Sequence, residues 1–308
     1  MSQLFIRKII HVKKDHLSVF NLIHDFHHWT KWSPWLIADP KAEVNIEADG
    51  KYYNWKSPIL GSGEMHILNQ EEGQSVSCAL QFFKPWKSKA KVTFYLNPKN
   101  QGTEVVWTLH CRLPFYMFWM KKQMETLVGM DYERGLLLLK DLAENGTISC
   151  KLNFDGILPF DYTHYFGLRK KTTFTEFKNE MANDFKTIMP YMEEHYKELV
   201  NGAPFSMYHQ FDAIKNKVEY TVGFPIKYPI TSSHIDYFIS SLPKMKAYSI
   251  ELTGSYKFLP NAWAALMMHQ RASHLKPLKK VPPLEIYLNK PENTPENELR
   301  TKVLFPIR

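Results

Sequence analysis

The last eleven residues of the chain restate a segment that stands about eighty residues earlier. Lys217-Val-Glu-Tyr-Thr-Val-Gly-Phe-Pro-Ile-Lys227 is similar to Glu298-Leu-Arg-Thr-Lys-Val-Leu-Phe-Pro-Ile-Arg308, and both close on Phe-Pro-Ile and a base. Upstream, Ala203-Pro-Phe-Ser-Met-Tyr208 aligns with Pro282-Pro-Leu-Glu-Ile-Tyr287 at nearly the same offset. A coherent offset of this kind marks a duplicated structural unit that buries its apolar face against its copy.

The unit has a readable content. Phe174, Phe177, Met181, Phe185, Ile188 and Met192 recur at helical spacing ahead of the first strand pair. Leu259, Ala262, Trp263, Leu266 and Met267 do so ahead of the second. A strand precedes each helix, over about 161–171 and 246–253. Each copy is therefore strand, helix, strand, strand, with repeats over about 160–227 and 246–308. A pseudo-two-fold axis sets equivalent strands side by side and leaves a central cleft, a favoured place for a ligand. Alternation puts Glu285 and Tyr287 on one side of their strand and Leu284 and Ile286 on the other. Ser206 and Tyr208 hold the equivalent positions in the first copy. The oily pair is expected to face the helices, which sets Glu285 on the open side of the sheet, in the cleft. A carboxylate among aromatic rings attracts cations through charge and through ring quadrupoles.

The first half reads differently. A strand over 2–12 leads to a helix over 15–26, and Trp29-Thr-Lys-Trp-Ser-Pro-Trp35 breaks the pattern. Strands follow over 50–56, 63–69, 75–83, 89–96 and 103–113. Their strict alternation, as in Val105, Trp107, Leu109, Cys111 and Leu113, gives each a wet and a buried face. The cover is a helix over about 117–144. Gly129 and Gly135 lie inside it, each costing roughly 1 kcal/mol against Ala, and they fit a helix that lies close to a sheet or leaves a cavity. The fold class is α+β.

Composition narrows the setting. With 308 residues, 44% apolar and 23% charged, the chain can bury ordinary cores without disulfides or metal. Cys78, Cys111 and Cys150 are odd in number and widely spaced, so they form neither a disulfide framework nor a CxxC site. They read as reduced thiols in a cytoplasmic protein. No apolar run has the length of a signal peptide core or a membrane span. The net charge of +8 comes from scattered lysines and accompanies no DNA-binding motif, so neither nucleic acid nor membrane is expected as a direct partner. His24, His27 and His28 have no acidic or cysteine partner at a ligand spacing, so no metal and no cofactor is expected.

Two resemblances add to this. The WxxWSPW segment, GKYYNW, GSGEM, GTEVVWTL and the helix GMDYERGLLLLKDLAE resemble, in order and spacing, the START/polyketide-cyclase (SRPBCC) superfamily over residues 1–146. That resemblance implies a helix-grip fold: a curved antiparallel sheet around a long C-terminal helix, enclosing an apolar cavity. It also implies that Trp55, Trp107 and Phe94 face that cavity. Residues 155–308 resemble the gyrase-inhibitor-like (GyrI-like) effector-binding domain, also found in bacterial multidrug-sensing transcription activators. The carriers are Thr253-Gly-Ser-Tyr256, the helix through Trp263, and the strand Pro283-Leu-Glu-Ile-Tyr-Leu-Asn-Lys-Pro291. That resemblance marks Glu285 as the ligand-contacting carboxylate, with Tyr256, Trp263, Tyr208 and Tyr287 as wall residues. The family's Gly-Pro-Tyr is Gly254-Ser-Tyr256 here.

The expected function is binding of a small hydrophobic or aromatic molecule, cationic ones included, by a sensor or sequestering protein without a DNA-binding domain of its own. The alternative is a hydrolase or cyclase acting on a hydrophobic natural product, with Glu285 as general base and Tyr256 beside it.

Overall fold

A computed structural model of the chain describes residues 2–113, 115–230 and 236–308 and divides it into two compact units, up to Ser149 and from Cys150 onward. The second unit's first strand begins at Cys150.

In the first unit, β1 (Ser2–Val12) is followed by three short helices, α1 (His16–Asn21), α2 (Phe26–Trp32) and α3 (Pro34–Ala38). Then come β2 (Glu43–Ile46), β3 (Tyr52–Ser57), β4 (Gly61–Glu71), β5 (Ser75–Lys84), β6 (Ser88–Lys99) and β7 (Gly102–Leu113). The strands form one antiparallel sheet in the order β1-β7-β6-β5-β4-β3-β2. A 3-10 turn over Phe115–Met120 precedes the long helix α4 (Lys121–Asn145), which closes on Gly146 in the left-handed region.

The single helix expected over 15–26 is split. The indole N–H groups of Trp29 and Trp32 donate to the carbonyls of Ile23 and Leu22, carbonyls that a continuing helix would use. The tryptophan segment itself is helical rather than broken. Asp25 and Ser33 cap α2 and α3 through their side chains, and Pro34 takes the first turn of α3, where its missing N–H costs nothing. Asp25 also bonds the ring of His27 at 2.8 Å, an acidic partner that the sequence reading does not give that histidine.

Gly135 and Gly129 sit differently under α4. A Cβ at Gly135 would stand 2.7 Å from the Trp107 ring and 3.2 Å from Pro34, both firmly packed. A Cβ at Gly129 would meet only the flexible end of Lys8. Gly135→Ala is therefore expected to cost about 1–3 kcal/mol through overpacking, and Gly129→Ala to gain up to about 1 kcal/mol of helix propensity. Urea midpoints of the two variants, moving in opposite directions, check this.

In the second unit the order is β8 (Cys150–Phe160), β9 (Thr163–Thr172), α5 (Phe177–His195), β10 (Phe205–Asp212) and β11 (Lys217–Ile226). After these come β12 (Tyr237–Leu242), β13 (Met245–Gly254), α6 (Leu259–Ala272), β14 (Leu284–Tyr287) and β15 (Arg300–Ile307). The sheet runs β12-β9-β11-β10-β14-β15-β13-β8. Read from either edge it places equivalent strands at equivalent depths: β9 with β13, β11 with β15, and β10 against β14 at the centre. There Ser206 lies directly opposite Glu285 in antiparallel register. The two positions that the repeat makes equivalent thus meet across the pseudo-two-fold axis.

Candidate functional site

The face assignment made from sequence is inverted. Glu285 shares its side of the sheet with both helices. Its carboxylate accepts from Trp263 Nε1 on α6, and Ser206 beside it donates to the sulfur of Met181 on α5 at 3.3 Å. Leu284 and Ile286 point to the other face, where they pack with Phe205, Met207, Leu304 and the loop residues Leu278 and Val281. That face is not open: Leu278 and Val281 of the loop and side chains of the neighbouring strands, Tyr165, Leu242 and Met245 among them, cover it. The apolar pair thus has a core of its own, and the centre of the helix-bearing face falls to Ser206 and Glu285.

The structure brings Glu285, Tyr287, Tyr208, Trp263 and Tyr256 together. Glu285 is 4% exposed. Trp263 Nε1 donates to its Oε1, and the Tyr287 hydroxyl donates to its Oε2 at 2.6 Å. Ser206 Oγ lies 3.0 Å from the Tyr287 hydroxyl. Tyr208 meets Trp263 edge-on with ring centroids 5.5 Å apart, and Tyr256 meets Tyr287 at 5.7 Å. The carboxylate is buried, but Tyr208, Tyr256, Trp263 and Tyr287 are each partly exposed. A buried carboxyl under partly exposed rings is a floor with an aromatic rim.

Electrostatics follow from burial. Desolvation pushes the Glu285 carboxyl above the usual carboxylate range, while donation from Trp263, Tyr287 and Tyr208 and the Lys178 charge pull it back. Burial, then the Glu285 charge, hold the Tyr208 and Tyr287 hydroxyls well above their ordinary value. Tyr256 is pushed up to about 12, by burial first and then by Glu292 and Glu285. The Tyr208 and Tyr287 phenols stay protonated and keep a proton to donate.

The sequence reading left Met181 and Phe185 out of the site. Met181 is the fifth residue of α5 and Trp263 the fifth of α6. The sulfur of Met181 thus takes on the Ser206 side the place that the indole takes on the Glu285 side. Phe185 packs edge-on against Tyr287, with centroids 5.4 Å apart. Extending the repeat alignment into the helices would have marked Met181; no sequence signal marks Phe185.

In the first unit, Phe94 and Trp107 stack at 4.8 Å, and Trp107 stacks on Tyr132 of α4 at 3.9 Å. The rings of Trp29 and Trp32 abut the same stack edge-on. Phe94 and Trp107 are buried in an aromatic core shared with Tyr132, Trp29 and Trp32. Trp55, 8% exposed, lies across Gly63 and packs edge-on against Phe82. It is not part of that stack.

Among the described residues, no group of three or more His, Cys, Asp or Glu side chains is arranged to hold a metal, and no helix is long and apolar enough to cross a membrane. Comparison with known proteins places a GyrI-like small molecule binding domain at residues 157–308. No curated protein matches the chain. Among solved structures, the C-terminal domain of EcmrR is 15% identical, covering 52% of this chain and 98% of that one, with a TM-score of 0.39. A protein from Mesorhizobium loti is 14% identical over 45% of this chain and 95% of its own, with a TM-score of 0.36. The Aha1 dimer from Colwellia psychrerythraea is 17% identical over 47% and 98%, with a TM-score of 0.35.

Proposed function

We propose, from the GyrI-like domain at residues 157–308, that the second unit binds small aromatic cations at Glu285. The observation that carries this reading is the buried carboxylate beneath four partly exposed aromatic side chains. A flat cation slid among these rings gains ring quadrupole attraction and the charge of Glu285 together. The Tyr287 hydroxyl and the Trp263 N–H hold the carboxylate in place, and among the described residues no cation is in direct contact with it.

We read the first unit as a helix-grip domain of the START/polyketide-cyclase superfamily whose interior is filled by its own side chains. The two units together then act as a sensor or sequestering protein for such cations, in the cytoplasm. The general-base alternative has less support, since both oxygens of Glu285 already accept hydrogen bonds and a substrate proton would have to displace one donor.

The test is a fluorescence-polarisation titration with rhodamine 6G, set against a neutral aromatic of similar size. Cationic dye is expected to bind at least about tenfold tighter, which is about 1.4 kcal/mol. Equal affinity for both would remove the charge-based reading.

A further inference from the structure

We infer that the outer face of the first unit's sheet is a binding trough for a small amphipathic anion: an aromatic or acyl body carrying a sulfonate, phosphate or carboxylate.

The trough has a volume of about 810 Å³ and crosses β1, β7, β6, β5 and β4. Strand register aligns its cations. His110 on β7 lies opposite Lys91 on β6. Two residues along, the same face carries Arg112, opposite Gln3 of β1, and Lys89, opposite Gln81 of β5. Lys87 completes the rim. Bases that oppose bases on neighbouring strands cost stability unless a counter-charge sits among them. Among the described residues, no carboxylate pairs with Lys87, Lys89, Lys91 or Arg112, and none lines the trough. Glu64 stands one strand beyond, opposite Gln81. It already accepts from the Tyr52 hydroxyl and lies 3.7 Å from His66. The missing counter-charge is the first mark of a ligand site.

The second mark is apolar. Register slips between Ile67 and Asn69 of β4, and this bulge leaves Leu68 61% exposed at the trough. Bulges re-aim side chains in this way. Leu68 gives the trough an apolar wall beside its basic side chains. A single-stranded nucleic acid would instead need a track of cations and stacking rings several nucleotides long. The site is independent of Glu285 and takes the opposite charge.

The test uses the full chain and 8-anilinonaphthalene-1-sulfonate, with uncharged N-phenyl-1-naphthylamine as the matched control. Saturable binding of the sulfonate is expected. The double variant Lys89→Ala/Lys91→Ala should weaken it about tenfold or more, in line with the loss of two close charges. The neutral amine should be little affected. Lys89 and Lys91 are exposed, so the double variant should fold, with a Tm equal to or above that of the parent. Unchanged sulfonate affinity in the double variant would overturn the inference, as would an equal loss for the neutral amine. Displacement of the sulfonate by a single-stranded oligonucleotide at lower concentration would overturn it too, by reassigning the face to nucleic acid.

Discussion

Glu285→Gln is expected to abolish useful binding of an aromatic cation while leaving the protein more stable at neutral pH. Losing one member of a desolvated charge pair costs about 2–5 kcal/mol, or roughly thirty- to several-thousand-fold in Kd. The stability gain follows from the sign of the carboxyl shift. Burial raises the folded-state value above the unfolded one, so the native state holds its proton more tightly. Stability is then greatest below the unfolded value and falls as pH rises through the interval up to the folded one. Glutamine removes that penalty: its amide oxygen keeps the Trp263 donor, while the Tyr287 hydroxyl turns to accept from the amide N–H and donate to Ser206 Oγ. The same shift governs binding. A cation needs ionised Glu285, so affinity drops as pH falls through the raised value, sooner than for an ordinary carboxylate. Calorimetric titration and thermal melts across this pH range check both halves. A variant that binds as the parent does removes Glu285 from the site, and a variant with a lower Tm at pH 7 contradicts the sign.

The largest effect on folding is expected at Trp107. Trp107→Ala empties the middle of the Phe94–Trp107–Tyr132 stack, where the indole is 1% exposed, and deprives Trp29 and Trp32 of a shared partner. Aromatic-to-alanine changes in cores cost about 3–5 kcal/mol, a large part of a domain's total stability. The readouts are loss of near-ultraviolet circular dichroism and a fall in the urea midpoint. Trp107→Phe should recover much of it, since the stack keeps a ring there.

The repeat was legible because Phe-Pro-Ile closes both β11 and β15, and a rare tripeptide at a fixed offset survives the divergence around it. Alternation along β14 was legible too, since period two is geometric. The covered side was not. Leu284 and Ile286 look like a helix-facing pair, but apolarity says only that a residue is buried, and a loop with the side chains of neighbouring strands buries as well as a helix does. The split of the first helix hid for a related reason. The sequence shows three tryptophans, but that two indoles claim the carbonyls of Leu22 and Ile23 is a fact of three-dimensional packing. Trp107 and Phe94 were legible as inward residues. Whether an inward ring lines a void or fills it depends on Tyr132 and Trp29, which are distant in sequence.

The meeting of Ser206 and Glu285 across β10 and β14 carries one more consequence. In a dimer of identical subunits, a residue on the axis meets itself. A glutamate there would face a second glutamate across one rung of the ladder, and each would hinder the other's ionisation. Covalent fusion of the halves removes that obligation to self-match, because one copy can be edited without the other. Serine on one side and glutamate on the other give a solitary negative charge at the most symmetric point of the sheet. A singly charged guest needs that valence, and no strictly symmetric pair of subunits can place it there.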